Sequence, residues 1–206
     1  MTEKRSFRNW FENVFWYHYK WYFLAAVFVL AVVIFICIDS PGTENYDMTV
    51  VFAQDGDVAE SQAAVILNGI ADAVGDVNGD GEIKLNYAYI NLGESSADDG
   101  ASGYSSTDQL LIYLTGEEYT LFIMDDKVSN ECCAAEYFED SLANYGIETP
   151  EDDPYRVSIS DTGLMKEAGL DTRDYYGLIM DWTTVDKGSQ ENTDAAVNAL
   201  KAIIAS

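Results

Sequence analysis

Asp76, Asn78, Asp80 and Glu82 are the residues whose types and spacing most clearly suggest chemistry. They lie at alternate positions in Asp76-Val-Asn78-Gly-Asp80-Gly81-Glu82. Calcium takes oxygen ligands, and its loops follow D-x-[DN]-x-[DN]-G, with a glycine that allows the sharp turn. In this stretch Asp76, Asn78 and Asp80 supply side-chain oxygens, Gly81 supplies the turn, and the backbone carbonyl of Glu82 is a further donor. The pattern stops there, because the twelfth position counted from Asp76 is Tyr87, where a bidentate glutamate belongs. A calcium-stabilised loop and a plain helix-to-strand turn therefore both remain open. Asn-Gly and Asp-Gly pairs favour such turns on their own.

A second set of acids ends three apolar runs: Asp55 after Val50–Gln54, Asp125 and Asp126 after Phe122–Met124, and Asp181 before Trp182 after Ile179-Met180. Ligands of open α/β sheets sit beyond the carboxyl ends of the strands. If these runs are parallel strands, the four acids line one rim able to hold a cation or an amine, with Trp182 as a stacking surface. The competing reading is that the acids begin loops and cap the helices that follow.

Other chemistries are excluded by composition. The single histidine is His18, so residues 39–206 offer no Ser-His-Asp triad, no Cys-His pair and no histidine zinc site. No P-loop and no G-x-G-x-x-G fingerprint occurs. Cys132 and Cys133 are neighbours, and a disulfide between consecutive residues is strained. One of the two is expected in the core and the other at its margin, with no basic residue beside them to activate a thiolate.

The elements that must position these groups follow from periodicity. Strands are expected over 48–53, 82–90, 119–124, 155–159 and 175–180, and helices over 58–74, 107–115, 130–145 and 192–205, with a helical turn over 162–168. Ser105 to Thr107 cap the second helix, while Ser129 opens the third and Gly146 stops it. The alternation of strand and helix predicts one three-layer α/β domain with a largely parallel sheet over 47–206.

Ahead of it stands a different kind of sequence. Residues 22–38 are seventeen residues without a charge, near the length of about 20 that a spanning helix needs. Trp16, Tyr17, Tyr19, Trp21 and Tyr22 form an aromatic belt at one end, where Lys20 can reach headgroups. The run ends in Ile36-Cys37-Ile38-Asp39, which lacks the small residues of a cleavage site. Bulky Ile36 also argues against a lipid-modified Cys37. Residues 1–21 carry four basic and two acidic side chains, and Phe7, Trp10, Phe11, Val14 and Phe15 recur at helical spacing. This predicts an interfacial amphipathic segment, a transmembrane helix over 22–38 with its N-terminus cytoplasmic, and a linker over 39–46.

Of the net charge of −25, residues 39–206 carry far more than their share, with seven basic and thirty-four acidic side chains. Such a domain repels nucleic acid and anionic lipid. The chain thus reads as a membrane-tethered extracytoplasmic binding or interaction domain without an assigned activity, its partner a protein of the cell envelope. The alternatives are a structural subunit of an envelope complex and a carboxylate-based hydrolase.

The stretch Gly116-Glu-Glu-Tyr-Thr-Leu-Phe-Ile-Met-Asp125 resembles one lobe of bacterial extracellular solute-binding proteins, in which a buried strand runs into an aspartate. Residues 76–83 resemble the calcium loop of EF-hand and dockerin modules. As a whole the chain is similar to uncharacterised single-pass membrane-anchored proteins of Gram-positive bacteria. The resemblance rests on Tyr19-Lys20-Trp21 entering the span and on the Asn78–Gly81 loop. It implies one complete lobe outside the membrane and a binding role. It does not imply transport, which needs two lobes closing on a ligand.

Overall fold

The computed structural model describes residues 21–31, 46–93, 105–116, 119–138, 140–170, 172–181 and 190–206. The chain divides into two units, Met1–Glu44 and Asn45–Ser206. In the first, residues 21–31 are helical and exposed. The rest of the expected span, the amphipathic segment before Trp21 and the linker up to Asn45 lie outside the described residues. Among the described residues no helix is long and apolar enough to cross a membrane.

The second unit is an α/β domain. In chain order its elements are β1 (Met48–Gln54), α1 (Glu60–Val74), β2 (Leu85–Asn91), α2 (Ser106–Thr115), β3 (Leu121–Asp125), α3 (Asp126–Ala134), a 3-10 turn (Leu142–Tyr145), β4 (Arg156–Ser158), α4 (Gly163–Glu167), β5 (Tyr175–Ile179) and α5 (Gln190–Ala205). The five strands form one sheet in the order β2-β1-β3-β5-β4. β1 lies between β2 and β3 and is parallel to both.

The continuous apolar run of β3 ends up buried at every position, as a strand covered on both faces must be. Leu121 and Ile123 point to the layer of α1, α4 and α5, while Phe122 and Met124 point to that of α2 and α3. Gly177 in β5 leaves room for α5 to approach. A Cβ there would lie 2.3 Å from Leu200 Cδ1.

One expectation holds in part and one is corrected. First, the sheet is parallel across β2, β1 and β3 but mixed overall, because β5 runs antiparallel to both β3 and β4. A parallel return needs a crossover that traverses the sheet, normally on a helix. Among the described residues the only helix between β4 and β5 is α4, five residues long, so the chain turns back at the end it came from. Second, the helix expected over 130–145 starts at Asp126 and stops at Ala134. Asp125, at the tip of β3, caps it by accepting a hydrogen bond from Val128 N–H at 2.9 Å. Ser129 instead donates to the Asp126 carbonyl at 3.1 Å. The chain then leaves the helix through Glu136 at φ 58, which lets Phe138 meet Phe122 edge-on at 5.5 Å. Gly146, at φ 71, ends the later 3-10 turn. The capping at Ser105 is as expected, and Asp108 completes a reciprocal box with it.

Candidate functional site

Two places gather the residues singled out from the sequence. The first is the loop 75–84 between α1 and β2. Gly75, Gly79 and Gly81 adopt φ of 74, 74 and 88, which L-residues with a Cβ rarely do. This lets the loop fold around its own carboxylates. Asp76 Oδ1 accepts from Gly79 N–H at 2.7 Å and from Asp80 N–H at 3.1 Å, and its Oδ2 accepts from Gly81 N–H at 2.8 Å. Asn78 Oδ1 accepts from Asp80 N–H, and Asp80 Oδ1 from Glu82 N–H, both at 2.8 Å.

The side-chain oxygens of Asp76, Asn78 and Asp80 thus all turn toward the loop backbone, and each keeps acceptor capacity. The Glu82 carboxylate turns elsewhere. It pairs with Lys84 Nζ at 2.6 Å, and that contact holds its pKa below the usual range. Beside the loop a cavity of about 310 Å³ is lined by Asp76 together with Glu191, Asp194 and Asn198 of α5. Among the described residues no three His, Cys, Asp or Glu side chains group as ligands of one metal ion.

The loop is held from outside by a residue the sequence did not single out. Asp47 is 5% exposed. Its Oδ1 accepts from Val77 N–H at 2.8 Å and Asn78 N–H at 3.0 Å, and its Oδ2 accepts from Lys84 N–H at 2.7 Å. Burial raises its pKa, but the three amides outweigh burial and the carboxyl titrates below its ordinary value. Nothing in the sequence marks Asp47, one acid of thirty-four in this half.

The second place is the rim at the carboxyl ends of β1 and β3. The strand order changes direction there, because β2 and β3 flank β1 on opposite sides. The structure brings Asp55, Asp125 and Asp126 together at this rim. Asp125 Oδ2 accepts from Asp55 N–H at 2.8 Å while its Oδ1 caps α3. The capping alternative therefore describes Asp125 correctly. Asp126 Oδ1 accepts from Asn130 Nδ2 at 3.0 Å and from Arg156 Nη1 at 3.5 Å. Asp181 does not join them. Because β5 is antiparallel, its carboxyl end lies beside the amino end of β3, at the opposite end of the strands, where Asp181 accepts from the Tyr145 hydroxyl at 2.5 Å. Trp182 lies outside the described residues.

Two cations complete the rim, and they alter its chemistry. Lys127 Nζ lies 3.9 Å from Asp55 Oδ2, and Arg173 Nη1 lies 4.0 Å from Asp125 Oδ2 and donates to the Asp55 carbonyl. Lys127 was not singled out from the sequence, although its place beside a strand-end acid pair, as one of only seven basic residues in 39–206, is a signal that marks it. Arg173 carries no such signal, because it reaches the rim only through the antiparallel β5. The rest is a frame of uncharged side chains around one further acid, Asp57. The Asn91 side chain accepts from Gly56 N–H at 3.1 Å and Gly93 N–H at 2.8 Å and donates to Asp57 at 2.8 Å. The Tyr89 hydroxyl shares its one proton between two acceptors in reach, the Gly56 carbonyl and Asp57, and the Tyr175 hydroxyl donates to Gln54. Burial first, then Asp57, pushes the Tyr89 phenol up, and burial does the same to Tyr175. These hydroxyls keep their protons at neutral pH. With its carboxylates already met by Lys127, Arg173 and backbone amides, the rim suits non-covalent contact better than proton transfer.

The thiols behave as their placement dictates. Cys132 is buried and its pKa is pushed up to about 12, mainly by burial. Cys133, at the margin, is raised for the same reason, although Arg156, contrary to the expectation of no basic neighbour, lies near enough to pull it partly back. Compared with known proteins, the chain matches no family model, and no curated protein or solved structure stands out as a relative.

Proposed function

We propose that this chain is a single-pass membrane protein that displays an acidic α/β domain outside the cytoplasmic face as a binding or interaction module. The observation that carries this reading is the division of the sequence. A basic, aromatic N-terminal stretch and seventeen uncharged residues precede a segment with thirty-four acidic and seven basic side chains. The separate compactness of Asn45–Ser206 supports it, since a displayed module needs its own core. A rim of exposed Asp55, Lys127 and Arg173 held on a hydrogen-bonded frame favours recognition over catalysis. The lobe-like order of elements resembling solute-binding proteins agrees with a binding role. Fractionation tests the tether. The full chain should stay with membranes through alkaline carbonate, and the chain lacking residues 1–38 should be released. Release of the full chain would refute the tether.

Calcium at the 76–82 loop is the second reading, favoured by the inward oxygens of Asp76, Asn78 and Asp80 and by Glu191 and Asp194 alongside. Calorimetric titration of the full chain with calcium should give saturable heat that Asp76→Ala and Asp80→Ala abolish. Absence of heat would leave the loop a turn.

A further inference from the structure

The two edges of the sheet are built differently. β4, at one edge, has three residues, one of them Arg156, and follows Pro150 and Pro154. Short length, charge and proline are the usual protections of an exposed edge. β2, at the other edge, is seven residues long and reads Leu-Asn-Tyr-Ala-Tyr-Ile-Asn, without a charge, a proline or a glycine. β1 and β5 are uncharged too, but they lie inside the sheet, whereas β2 is at its edge.

The register says which backbone groups it offers. Leu92 N–H bonds to the Gln54 carbonyl at 2.8 Å, and the parallel pairing runs back from there in steps of two. Asn86, Ala88 and Ile90 therefore give their N–H and C=O groups to β1. Leu85, Tyr87, Tyr89 and Asn91 direct theirs outward, where among the described residues no strand pairs with them. The side chains of Leu85, Tyr87 and Tyr89 are only half-buried and pack at the border of the core. An added strand would complete their burial.

The surroundings select the occupant. Exposed Asp57 stands at the carboxyl end of β2, bonded to Asn91. Ahead of its amino end, exposed Asp80 and Glu82 outnumber Lys84, which pairs with Glu82, so acid is in excess there too. A second copy would bring its own thirty-four acidic side chains against these, whereas a basic segment is drawn to them. We infer that β2 is a docking edge for an extended segment of a partner protein. That segment adds a sixth strand of about seven mostly uncharged residues and carries lysine or arginine at each end. Strand addition takes affinity from the main chain and specificity from alternate side chains. The span is about 23 Å, from roughly 3.3 Å per residue. The inference rests on the binding-module reading, but its test needs no membrane, so the two can fail separately.

The probes are nonapeptides of alternating valine and threonine, one with lysine at each end, one with glutamate at each end, and one lysine-ended with a central proline. They are titrated into the full chain in neutral detergent at low salt. Reversing two exposed charge contacts is worth about tenfold, so the lysine peptide should bind about tenfold tighter than the glutamate peptide, and the proline peptide not measurably. On binding, amide exchange should slow at Leu85, Tyr87, Tyr89 and Asn91, while Asn86, Ala88 and Ile90 are slow from the start. Tyr87→Pro removes one outward N–H and none toward β1, so a folded variant should lose binding. If that variant does not fold, exchange in the unaltered chain still decides. Equal binding of all three peptides would overturn the inference, as would binding without slowing at the four outward amides. So would outward amides already slow in the free chain, whether covered by its own segment or by a second copy.

Discussion

Asp47→Asn removes the charge that fastens the 75–84 loop to the start of β1 while keeping the side chain's shape. The carboxylate serves three amides at 2.7–3.0 Å, and hydrogen bonds to a charged group contribute about 1.5–3 kcal/mol each when removal orphans a buried partner. Asn78 and Lys84 are exposed residues, so water can replace part of that loss. The amide also retains one acceptor oxygen and turns its NH2 toward at least one donor. A net loss of about 2–3 kcal/mol follows, which for a domain of this size lowers Tm by about 4–12 °C. The pH dependence has a definite sign. The folded-state carboxyl titrates below its ordinary value. Its contribution is therefore present above the unfolded value of about 3.9 and is lost as pH falls through the folded one. Melts followed by circular dichroism should show the full gap between the two proteins at pH 7 and a narrowing gap below about pH 4. A gap of the same size at both ends of that range, or none at pH 7, would refute the argument that charge-assisted bonds from Asp47 hold the loop.

Gly177→Ala should lower Tm, because the new methyl would sit 2.3 Å from Leu200 Cδ1 in a fully buried contact, and overpacking of this kind costs about 1–3 kcal/mol. An unchanged melt would mean that α5 can shift away from β5 freely. An aromatic disulfide reagent at pH 7.5 should modify Cys133 slowly and Cys132 only upon unfolding, since burial raises both thiols and Cys132 is the more enclosed. Rapid labelling of Cys132 in the folded chain would contradict its placement on the buried face of α3.

Much of the scaffold was legible because it depends on local signals. The buried run Leu121–Met124, the Ser105 cap and the glycine-rich turn after α1 each declare themselves within a few residues. What was not legible depends on the direction of a strand or on a distant partner. Nothing in Tyr175–Ile179 states that β5 runs antiparallel. That direction separates Asp181 from Asp55 and brings Arg173 to the rim in its place. The helix after β3 was misplaced because Ser129 and Asp125 are both good caps. Tertiary geometry decides between them, since Ser129 Oγ also accepts from Arg156 at 2.6 Å. Asp47 was invisible because its role exists only once Val77, Asn78 and Lys84 fold over it.

The central claim concerns sidedness, and cysteine labelling in intact cells tests it most directly. Cys37, Cys132 and Cys133 are first replaced by serine. Single cysteines are then placed at Asp72, exposed on α1, and at Ser6, ahead of the uncharged run. With a membrane-impermeant maleimide, Asp72→Cys should be labelled in intact cells and Ser6→Cys only after permeabilisation. The reverse pattern, or labelling of neither before permeabilisation, would contradict an outward-facing tethered domain.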